Sequence, residues 1–216
     1  TLSFGLDAPS RPQDFGLAEF GEVLWMVQGE QRLLPIDELP MSGLHNASNA
    51  LAALALCTAL GYEAASFVPA FKTFNGLPHR VEKVAEINNV CWYDDSKGTN
   101  VGATIAALEG LQRKVVVILG GDGKGQDFSH LTKAVKRHAR AVVLIGRDGP
   151  LIEKTLVNCG VAMEMASDMR DAVNRAHRLS RPGDAVLLSP ACASFDMFRN
   201  YEHRAQVFVT EVKGLL

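Results

Sequence analysis

Val115-Val-Val-Ile-Leu-Gly-Gly-Asp-Gly-Lys-Gly125 is the stretch that decides the fold of the second half of the chain. Its first five residues are all apolar, which is typical of a central parallel strand that is covered on both faces. Its glycines and Lys124 follow that strand directly, at the edge of the sheet where such folds bind ligands. The stretch therefore predicts a doubly wound α/β sheet with a candidate binding loop.

The same rhythm of strands and helices continues on both sides of this stretch. Further strand-like runs occupy 81–87, 90–94, 141–145, 161–166 and 185–188, and a helix is predicted over 101–111. Two sets of apolar residues are spaced to line one face of a helix. They are Phe128, Leu131, Val135 and Ala139, and then Tyr201, Ala205, Phe208, Val212 and Leu215. This pattern predicts an α/β, doubly wound, Rossmann-like domain over 77–216.

Residues 1–76 follow a different pattern. Apolar runs at 23–27 and 32–36 flank Gln28-Gly-Glu-Gln31, which predicts a hairpin. A buried helix over 50–60 that ends at Gly61, and a second helix over 64–74, lead to the turn Asn75-Gly-Leu-Pro78. We place the domain boundary in this turn.

Composition limits the function classes. The 216 residues correspond to roughly one and a half domains of about 150 residues. A net charge of −2 argues against a dominant polyanion-binding surface, and no apolar run reaches the ~18 residues of a membrane span. Cys57, Cys91, Cys159 and Cys192 form no C-x-x-C pair. They predict reduced, mostly buried thiols and a cytosolic compartment.

The loop Asp94-Asp-Ser-Lys-Gly-Thr-Asn100 lies between a predicted strand and a predicted helix. Lys97 beside a helix N-terminus, with Thr99 as a further donor, is a natural anion cradle. Asp95 has two candidate roles, pairing with Lys97 and holding a metal-bound or ribose hydroxyl group. A simple capping cluster is the alternative, but it leaves Lys97 unexplained, so we favour a functional loop.

The glycine loop 120–125 matches neither common phosphate motif, because Gly125 follows Lys124 and residue 126 is Gln. Its residues are equally compatible with an anion-binding site and with a plain glycine turn. After the last strand, Ser194 and neighbouring amides can hold a carboxylate, whereas nothing basic near Cys192 suggests a nucleophile.

Two pairs of residues complete the set of candidate binding residues. His79-Arg80 is compatible with a phosphate contact or a solvated interface, and Asn46 with Asn49 is most simply a helix cap. Together the loops predict a small anionic ligand, such as an amino acid or a phosphate.

Taken as a set, five segments resemble the Mur ligase family. In the family's order they are Ser42-Gly-Leu-His-Asn-Ala-Ser-Asn-Ala-Leu-Ala-Ala, Phe74-Asn-Gly-Leu-Pro-His-Arg, Asp95-Ser-Lys-Gly-Thr-Asn, Leu119-Gly-Gly-Asp-Gly-Lys, and Leu188-Ser-Pro-Ala-Cys-Ala-Ser-Phe-Asp-Met-Phe. The third and fifth segments are most similar to the branch that adds D-glutamate. The resemblance implies that 1–76 is the C-terminal part of a central ATPase domain and that 77–216 is the amino-acid-binding domain.

The implied activity is an ATP-dependent ligase that adds D-glutamate to UDP-N-acetylmuramoyl-L-alanine through an acyl phosphate, in peptidoglycan precursor synthesis. ATP and Mg²⁺ are the implied cofactors. The implied partners are these small molecules, without nucleic acid or membrane, and the implied protein is a cytoplasmic monomer.

The same resemblance assigns roles to the candidates. The implied nucleotide contacts are Asn46, Asn49, Arg80, Asp95 and Lys97. The implied catalytic residues, which stabilise phosphate and the charge of the intermediate, are Lys97, His79 and Asp95. The implied D-glutamate pocket consists of Thr99, Lys124, Ser194, Phe195 and Tyr201. No metal ligand is predicted in this chain.

The family's P-loop has no counterpart, because no G-x-x-x-x-G-K-[ST] motif occurs and the chain opens at Thr1. We therefore expect a fragment that is inactive alone. The alternatives are a folylpolyglutamate synthase-type ligase, a non-catalytic nucleotide or amino-acid sensor, and a nicotinamide oxidoreductase, which the failed dinucleotide motif disfavours.

Overall fold

The structure is a computed structural model that describes residues 1–41 and 43–216. Ser42, which opens the first of the five matching segments, lies outside the described residues. The chain divides into two compact units, Thr1–Gly76 and Leu77–Leu216. Among the described helices, none has the length and apolar character needed to cross a membrane.

The first unit contains a small antiparallel sheet of β1 (Phe15–Phe20), β2 (Val23–Gln28) and β3 (Gln31–Pro35). The predicted hairpin is confirmed, since Gln28 pairs with Gln31 across a two-residue turn in which Gly29 has a φ of 54°. The sequence did not predict β1. Phe15, Met26 and Leu34 of the sheet are buried in one core with residues of the first helix.

Helix α1 (Leu44–Ala59) is longer than the predicted 50–60 and buries only one face, because Leu56 is 68% exposed. Gly61 follows the end of this helix with a φ of 92°, as a helix-terminating glycine should. The predicted second helix is a 3-10 turn, Ala64–Phe67, followed by α2 (Val68–Thr73).

The second unit is built on a six-stranded sheet of order β4-β5-β9-β6-β7-β8. The strands are β4 (Glu82–Ile87), β5 (Val90–Asp94), β6 (Val115–Gly120), β7 (Ala139–Ile145), β8 (Ala162–Met165) and β9 (Ala185–Leu188). Only β4 pairs antiparallel to its neighbour. The six predicted strands are confirmed, with ends that differ by at most two residues. Ala139 is the exception to the predicted helix face, because it pairs with Val115 as the first residue of β7.

Helices cover both faces of this sheet, which confirms the doubly wound arrangement. They are α3 (Val101–Gly110), α4 (Leu131–His138), α5 (Gly149–Leu156), α6 (Met169–Leu179) and α7 (Tyr201–Lys213). Alternate residues of β6 face opposite ways: Val117 packs in the core with α3, α4 and α5, and Val116 in the core with α6 and α7. Of the second predicted helix face, Ala205, Phe208 and Val212 are buried, while Leu215 lies beyond the end of α7.

Candidate functional site

Three loops meet at the carboxyl edge of the sheet because β5, β9 and β6 are neighbours there. The Asp95 amide donates to the Leu188 carbonyl at 2.8 Å, and the Ala191 amide donates to the Gly98 carbonyl at 3.0 Å. The Gly120 amide donates to the Pro190 carbonyl at 2.9 Å. The loop after β9 is therefore bonded to the loops on both sides of it.

Asp95 is buried, with 6% of its surface exposed. Its Oδ2 accepts a hydrogen bond from the Ser189 hydroxyl at 2.6 Å. Burial raises the pKa of Asp95 to about 7, against the opposing effects of the bonds from Ser189 and the Val81 amide. This carboxyl group can therefore be either an acceptor or, when protonated, a donor near neutral pH.

His79 is held by both its side chain and its backbone. Its Nδ1 lies 2.7 Å from Oδ2 of Asp94, which is 1% exposed. Its amide donates to Glu82 Oε2 at 3.0 Å, and its carbonyl accepts from the Lys97 amide at 3.1 Å.

The backbone around His79 is strained. His79 and Val81 have φ values of 63° and 50°, and a β-branched residue in this region is unusual. Strain of this kind persists only where the surroundings impose it, and it is concentrated at functional sites. The bonds to Glu82 and Lys97 supply that constraint.

Lys97 is exposed, and its ammonium lies 3.9 Å from the centre of the Tyr201 ring. The Tyr201 ring also meets the His79 ring edge-on, at 6.0 Å between centres. Within residues 1–41 and 43–216, no carboxylate forms an ion pair with Lys97. Its charge is thus available to an anionic ligand beside His79.

Arg204, which sequence reasoning missed, is fully buried beneath this loop. Its guanidinium donates to the Ser96 hydroxyl at 3.0 Å, the Ser96 carbonyl at 2.8 Å and the Cys192 carbonyl at 3.1 Å. Burial lowers the pKa of Arg204 to about 10, so it remains charged at neutral pH. The three bonds connect the loops after β5 and β9.

The glycine loop after β6 owes its glycines to close backbone packing. A Cβ on Gly120 (φ 122°) would lie 1.9 Å from the Ile145 carbonyl oxygen, and one on Gly121 (φ 129°) 2.3 Å from that of Ala193. Only glycine fits such approaches. The plain-turn interpretation therefore explains these glycines, but it does not explain Lys124.

The predicted pocket residues divide into two groups. The exposed Lys124 ammonium lies 5.9 Å from the ring centre of Phe195, which is 67% exposed. Thr99 approaches the same loop, since its carbonyl accepts from Gln126 Nε2 at 3.4 Å. Ser194 is buried, and among the described residues its hydroxyl has no hydrogen-bond partner. Tyr201, in contrast, contacts Lys97 and His79.

Three further candidate residues belong to the first two matching segments. Asn46 and Asn49 lie near the start of α1 in the first unit, half-buried and exposed respectively. The cap interpretation of this pair is wrong, because α1 begins at Leu44 with Gly43 in the cap position. Arg80 is exposed beside the strained His79 and affects the Asp95 carboxylate electrostatically.

One group of side chains has the composition of a metal site, which the sequence did not predict. Candidate ligand atoms of His79, Glu82 and Asp94 lie within 4.8 Å of one another and line a cavity of about 410 Å³. His79 is already hydrogen-bonded to both carboxylates, and Lys83 and Lys213 line the same cavity. This arrangement is explained by hydrogen bonding without a cation.

Cys192 does not have the environment of a nucleophile. It is fully buried, and burial raises the pKa of its thiol to about 12. The four cysteines are free thiols, as predicted; Cys57 is half-buried and the others are buried.

The buried, hydrogen-bonded set of charged groups lies at the carboxyl edge of a doubly wound sheet, which is where α/β domains of this class bind their ligands. Residues 79–192 match the family model "Mur ligase, glutamate ligase domain". The chain belongs to the Mur ligase family.

Curated relatives give a more specific comparison. The chain is 58% identical over 214 residues to the UDP-N-acetylmuramoylalanine–D-glutamate ligase of Methylobacillus flagellatus, covering 99% of this chain and 47% of that protein. It is 60% identical over 215 residues to the ligase of the same name from Thiobacillus denitrificans, covering 99% of this chain and 44% of that protein. The chain thus spans about half the length of these relatives.

Solved structures agree on the fold. A UDP-N-acetylmuramate-alanine ligase from Thermotoga maritima matches with a TM-score of 0.63 and 19% identity, over 94% of this chain and 46% of that chain. A Mycobacterium tuberculosis folylpolyglutamate synthase matches with a TM-score of 0.61 and 17% identity, over 90% of this chain and 48% of that chain. At these identities the likeness concerns the fold alone.

Proposed function

We propose that this chain is part of an ATP-dependent ligase that adds D-glutamate to UDP-N-acetylmuramoyl-L-alanine through an acyl phosphate, in peptidoglycan precursor synthesis. The observation that carries the proposal is the convergence of His79, Asp95 and Lys97 at the carboxyl end of β5. The name shared by relatives 58% and 60% identical supports this reaction. In this proposal Thr1–Gly76 is the end of the ATPase domain and Leu77–Leu216 the amino-acid-binding domain.

Lys97 and His79 would stabilise the negative charge of the phosphate and of the tetrahedral intermediate. The Lys97 ammonium has no carboxylate partner among the described residues, so an anion would not need to displace one. Arg80 and Asp95 would contact the nucleotide and its ribose, and Asn46 with Asn49 its adenine. A carboxyl group with a pKa of about 7 suits Asp95 for a hydroxyl partner, because it can accept or donate.

The D-glutamate pocket would form around Lys124, which pairs with a substrate carboxylate. The hydroxyls of Thr99 and Ser194 would donate hydrogen bonds, and the unpartnered hydroxyl of Ser194 supports this role. Phe195 and Tyr201 would form its walls. Tyr201 also contacts Lys97, so it would connect the amino-acid pocket with the phosphate-stabilising group.

ATP supplies the phosphoryl group when bound, and Mg²⁺ accompanies its phosphates. The sequence has no G-x-x-x-x-G-K-[ST] loop to hold the phosphate chain, so this polypeptide alone is expected to give no turnover. The proposal includes a cytoplasmic monomer that acts on small molecules, without nucleic acid or membrane. Four free thiols suit a reducing compartment.

The proposed amino-acid substrate, D-glutamate, can be tested by NMR on this chain. We would titrate ¹⁵N-labelled chain with D-glutamate and, separately, with L-glutamate. The proposal expects amide shifts around Thr99, Lys124 and Ser194 with a preference for D-glutamate. Lys124→Ala should weaken the binding that these shifts report by about tenfold, whereas the control Lys133→Ala, an exposed lysine of α4, should leave it unchanged. An L-preference would favour a folylpolyglutamate synthase-type ligase, and absence of shifts would contradict an acceptor pocket preformed in this chain.

The catalytic role of Lys97 has to be tested in the longer ligase. Lys97→Ala should lower kcat by at least about 100-fold in a phosphate-release assay, because charge stabilisation in the transition state is lost. Lys124→Ala should instead raise the KM for D-glutamate by about tenfold, since it removes one carboxylate contact. Normal turnover by the Lys97 variant would contradict the proposal.

A further inference from the structure

The buried carboxylate of Asp94 is absent from every role assigned above. It lies at the last position of β5, one residue before Asp95, with 1% of its surface exposed. Its two oxygens have different partners: Oδ1 accepts from the Ser96 amide at 2.8 Å, and Oδ2 lies 2.7 Å from His79 Nδ1. Its burial is therefore matched by two bonds, one of which ends on a proposed catalytic ring.

We propose that Asp94 is the positioning residue of His79, holding the imidazole with Nδ1–H toward the protein and Nε2 toward the ligand. This inference rests on the proposed function, in which His79 stabilises phosphate. It deepens that function by naming the group that decides which nitrogen the ligand meets.

Hydrogen-bond chemistry supports the assignment. An ionised carboxylate only accepts, so the short contact requires a hydrogen on Nδ1. That holds for the neutral ring and for the imidazolium, because Nδ1 carries a hydrogen in both. Asp94 therefore fixes the ring orientation in either protonation state, and Nε2 is the nitrogen that meets the ligand.

The backbone of His79 is fixed as well. Its left-handed backbone is held by the bonds to Glu82 and Lys97, and its side chain is 24% exposed. The ring contacts Asp94 through Nδ1 and Tyr201 edge-on, and no described residue provides a hydrogen-bond partner for Nε2. The ring is thus restrained at Nδ1 and open at Nε2, as a group prearranged for a ligand should be.

Asp94→Asn gives a sharp test because it keeps the shape of the side chain. The Ser96 amide is a fixed donor, so the single amide oxygen of Asn must face it. The NH₂ group then faces His79 Nδ1, which must become an acceptor. We expect the neutral ring to change from the Nδ1–H to the Nε2–H tautomer. The control Glu86→Gln, which changes a carboxylate of the same hairpin that contacts Lys83, should leave the tautomer unchanged.

The tautomer would be read in the 216-residue chain from long-range ¹H–¹⁵N imidazole spectra at about pH 8.5, where an ordinary imidazole is neutral. His79→Gln would assign the signal among the six histidines. A wild-type ring in the Nε2–H form, or an unchanged tautomer in Asp94→Asn, would overturn the inference. Should the variant fail to fold, the wild-type spectrum still decides between the two forms.

The second readout is the steady-state kinetics of the longer ligase. Asp94→Asn should lower kcat by about tenfold and change the KM values for ATP and D-glutamate by less than about twofold, because only the orientation of His79 changes. Wild-type kcat in this variant would overturn the positioning role. Wild-type kcat in His79→Gln would instead contradict the catalytic role of His79 in the proposed function, and the tautomer result would stand independently.

Discussion

The loops after β5 and β6 occupy the same edge of one sheet but are built by opposite means. The loop after β5 is held by buried polar side chains, in which Asp94, Asp95 and Arg204 make most of the bonds. The loop after β6 begins with close backbone packing at Gly120 and Gly121, which leaves no room for a side chain at either position. Buried charged side chains thus fix the first loop, whereas close approach of backbone atoms fixes the start of the second.

The exposed charges of the two loops differ accordingly. Next to the second loop, Arg147 contacts Asp122 and lies 3.3 Å from Asp148, so these surface charges largely compensate one another. Lys124 remains exposed beside Phe195. The first loop is suited to fixed positioning of charge, and the second to a cation that can adapt to its ligand.

The largest expected loss of stability is that of Gly120→Ala, because this substitution disrupts the backbone packing of the second loop. Its methyl group would lie 1.9 Å from the Ile145 carbonyl oxygen, so the free energy of unfolding should fall by at least roughly 4 kcal/mol. Gly125→Ala is the matched control. Gly125 also has a positive φ but no neighbouring atom within 4 Å, so about 1 kcal/mol is expected.

Urea unfolding followed by Trp92, in a Trp25→Phe background, would report on the second unit alone. Equal losses in the two glycine variants would contradict the packing explanation and leave only the cost of the positive φ.

The next expected effect is the pH dependence of the free energy of unfolding, which should distinguish the first loop from the second. The pKa of Asp95 is raised to about 7 in the folded chain, above its ordinary 3.8, so the folded state binds the proton more tightly than the unfolded state. Its contribution to stability is complete below about pH 3.8 and is lost as the pH rises to about 7. Between these limits wild type should lose on the order of 4 kcal/mol more than Asp95→Asn, because each pKa unit corresponds to about 1.4 kcal/mol.

The comparison with the variant is needed because other carboxylates also titrate. Burial raises the pKa of Asp94 as well, which acts in the same direction, whereas hydrogen bonding lowers the pKa of Asp148 and acts oppositely. The difference between wild type and variant removes the Asp148 contribution and isolates the Asp95 proton together with its coupling to the neighbouring Asp94. Parallel stability curves for the two proteins would contradict a raised pKa at Asp95.

The smallest of the three expected effects is the loss of the hydrogen bonds by which Arg204 connects the loops after β5 and β9. Arg204→Met should lower the free energy of unfolding by about 2 kcal/mol, because three buried acceptors on Ser96 and Cys192 lose their donor while a buried charge is also removed. The control Arg178→Met removes an exposed ion pair with Glu164 and should change stability by less than about 0.5 kcal/mol. Similar losses in both variants would mean that Arg204 does not hold the loops.

Strands were predictable where burial dictates composition. The apolar run of β6 identified a central strand because helices cover it on both faces. The strand β1 was missed, because Phe15–Phe20 includes glycine, alanine and glutamate and gives a weak pattern. The spacing of Ala139 from the preceding apolar residues predicted a helix. In the structure Ala139 pairs with Val115 and belongs to a strand. Local periodicity does not reveal such pairing between distant residues.

The candidate site was predictable only as a set of loops. Their position after strands placed Lys97 and Lys124 at one edge of the sheet in advance. The supporting contacts were not predictable, because Ser189 is 94 residues from Asp95 and Arg204 is 108 residues from Ser96. The strand order that brings these residues together is a property of the whole sheet.

The distribution of thiols makes the chain convenient for selective labelling. Cys57 is the half-buried thiol of α1, while Cys91, Cys159 and Cys192 are buried. A maleimide dye should therefore attach to Cys57 first and mark the unit Thr1–Gly76, without any engineered cysteine. In a Trp25→Phe background, Trp92 provides an intrinsic fluorophore in the other unit, so a single sample carries two independent spectroscopic reporters.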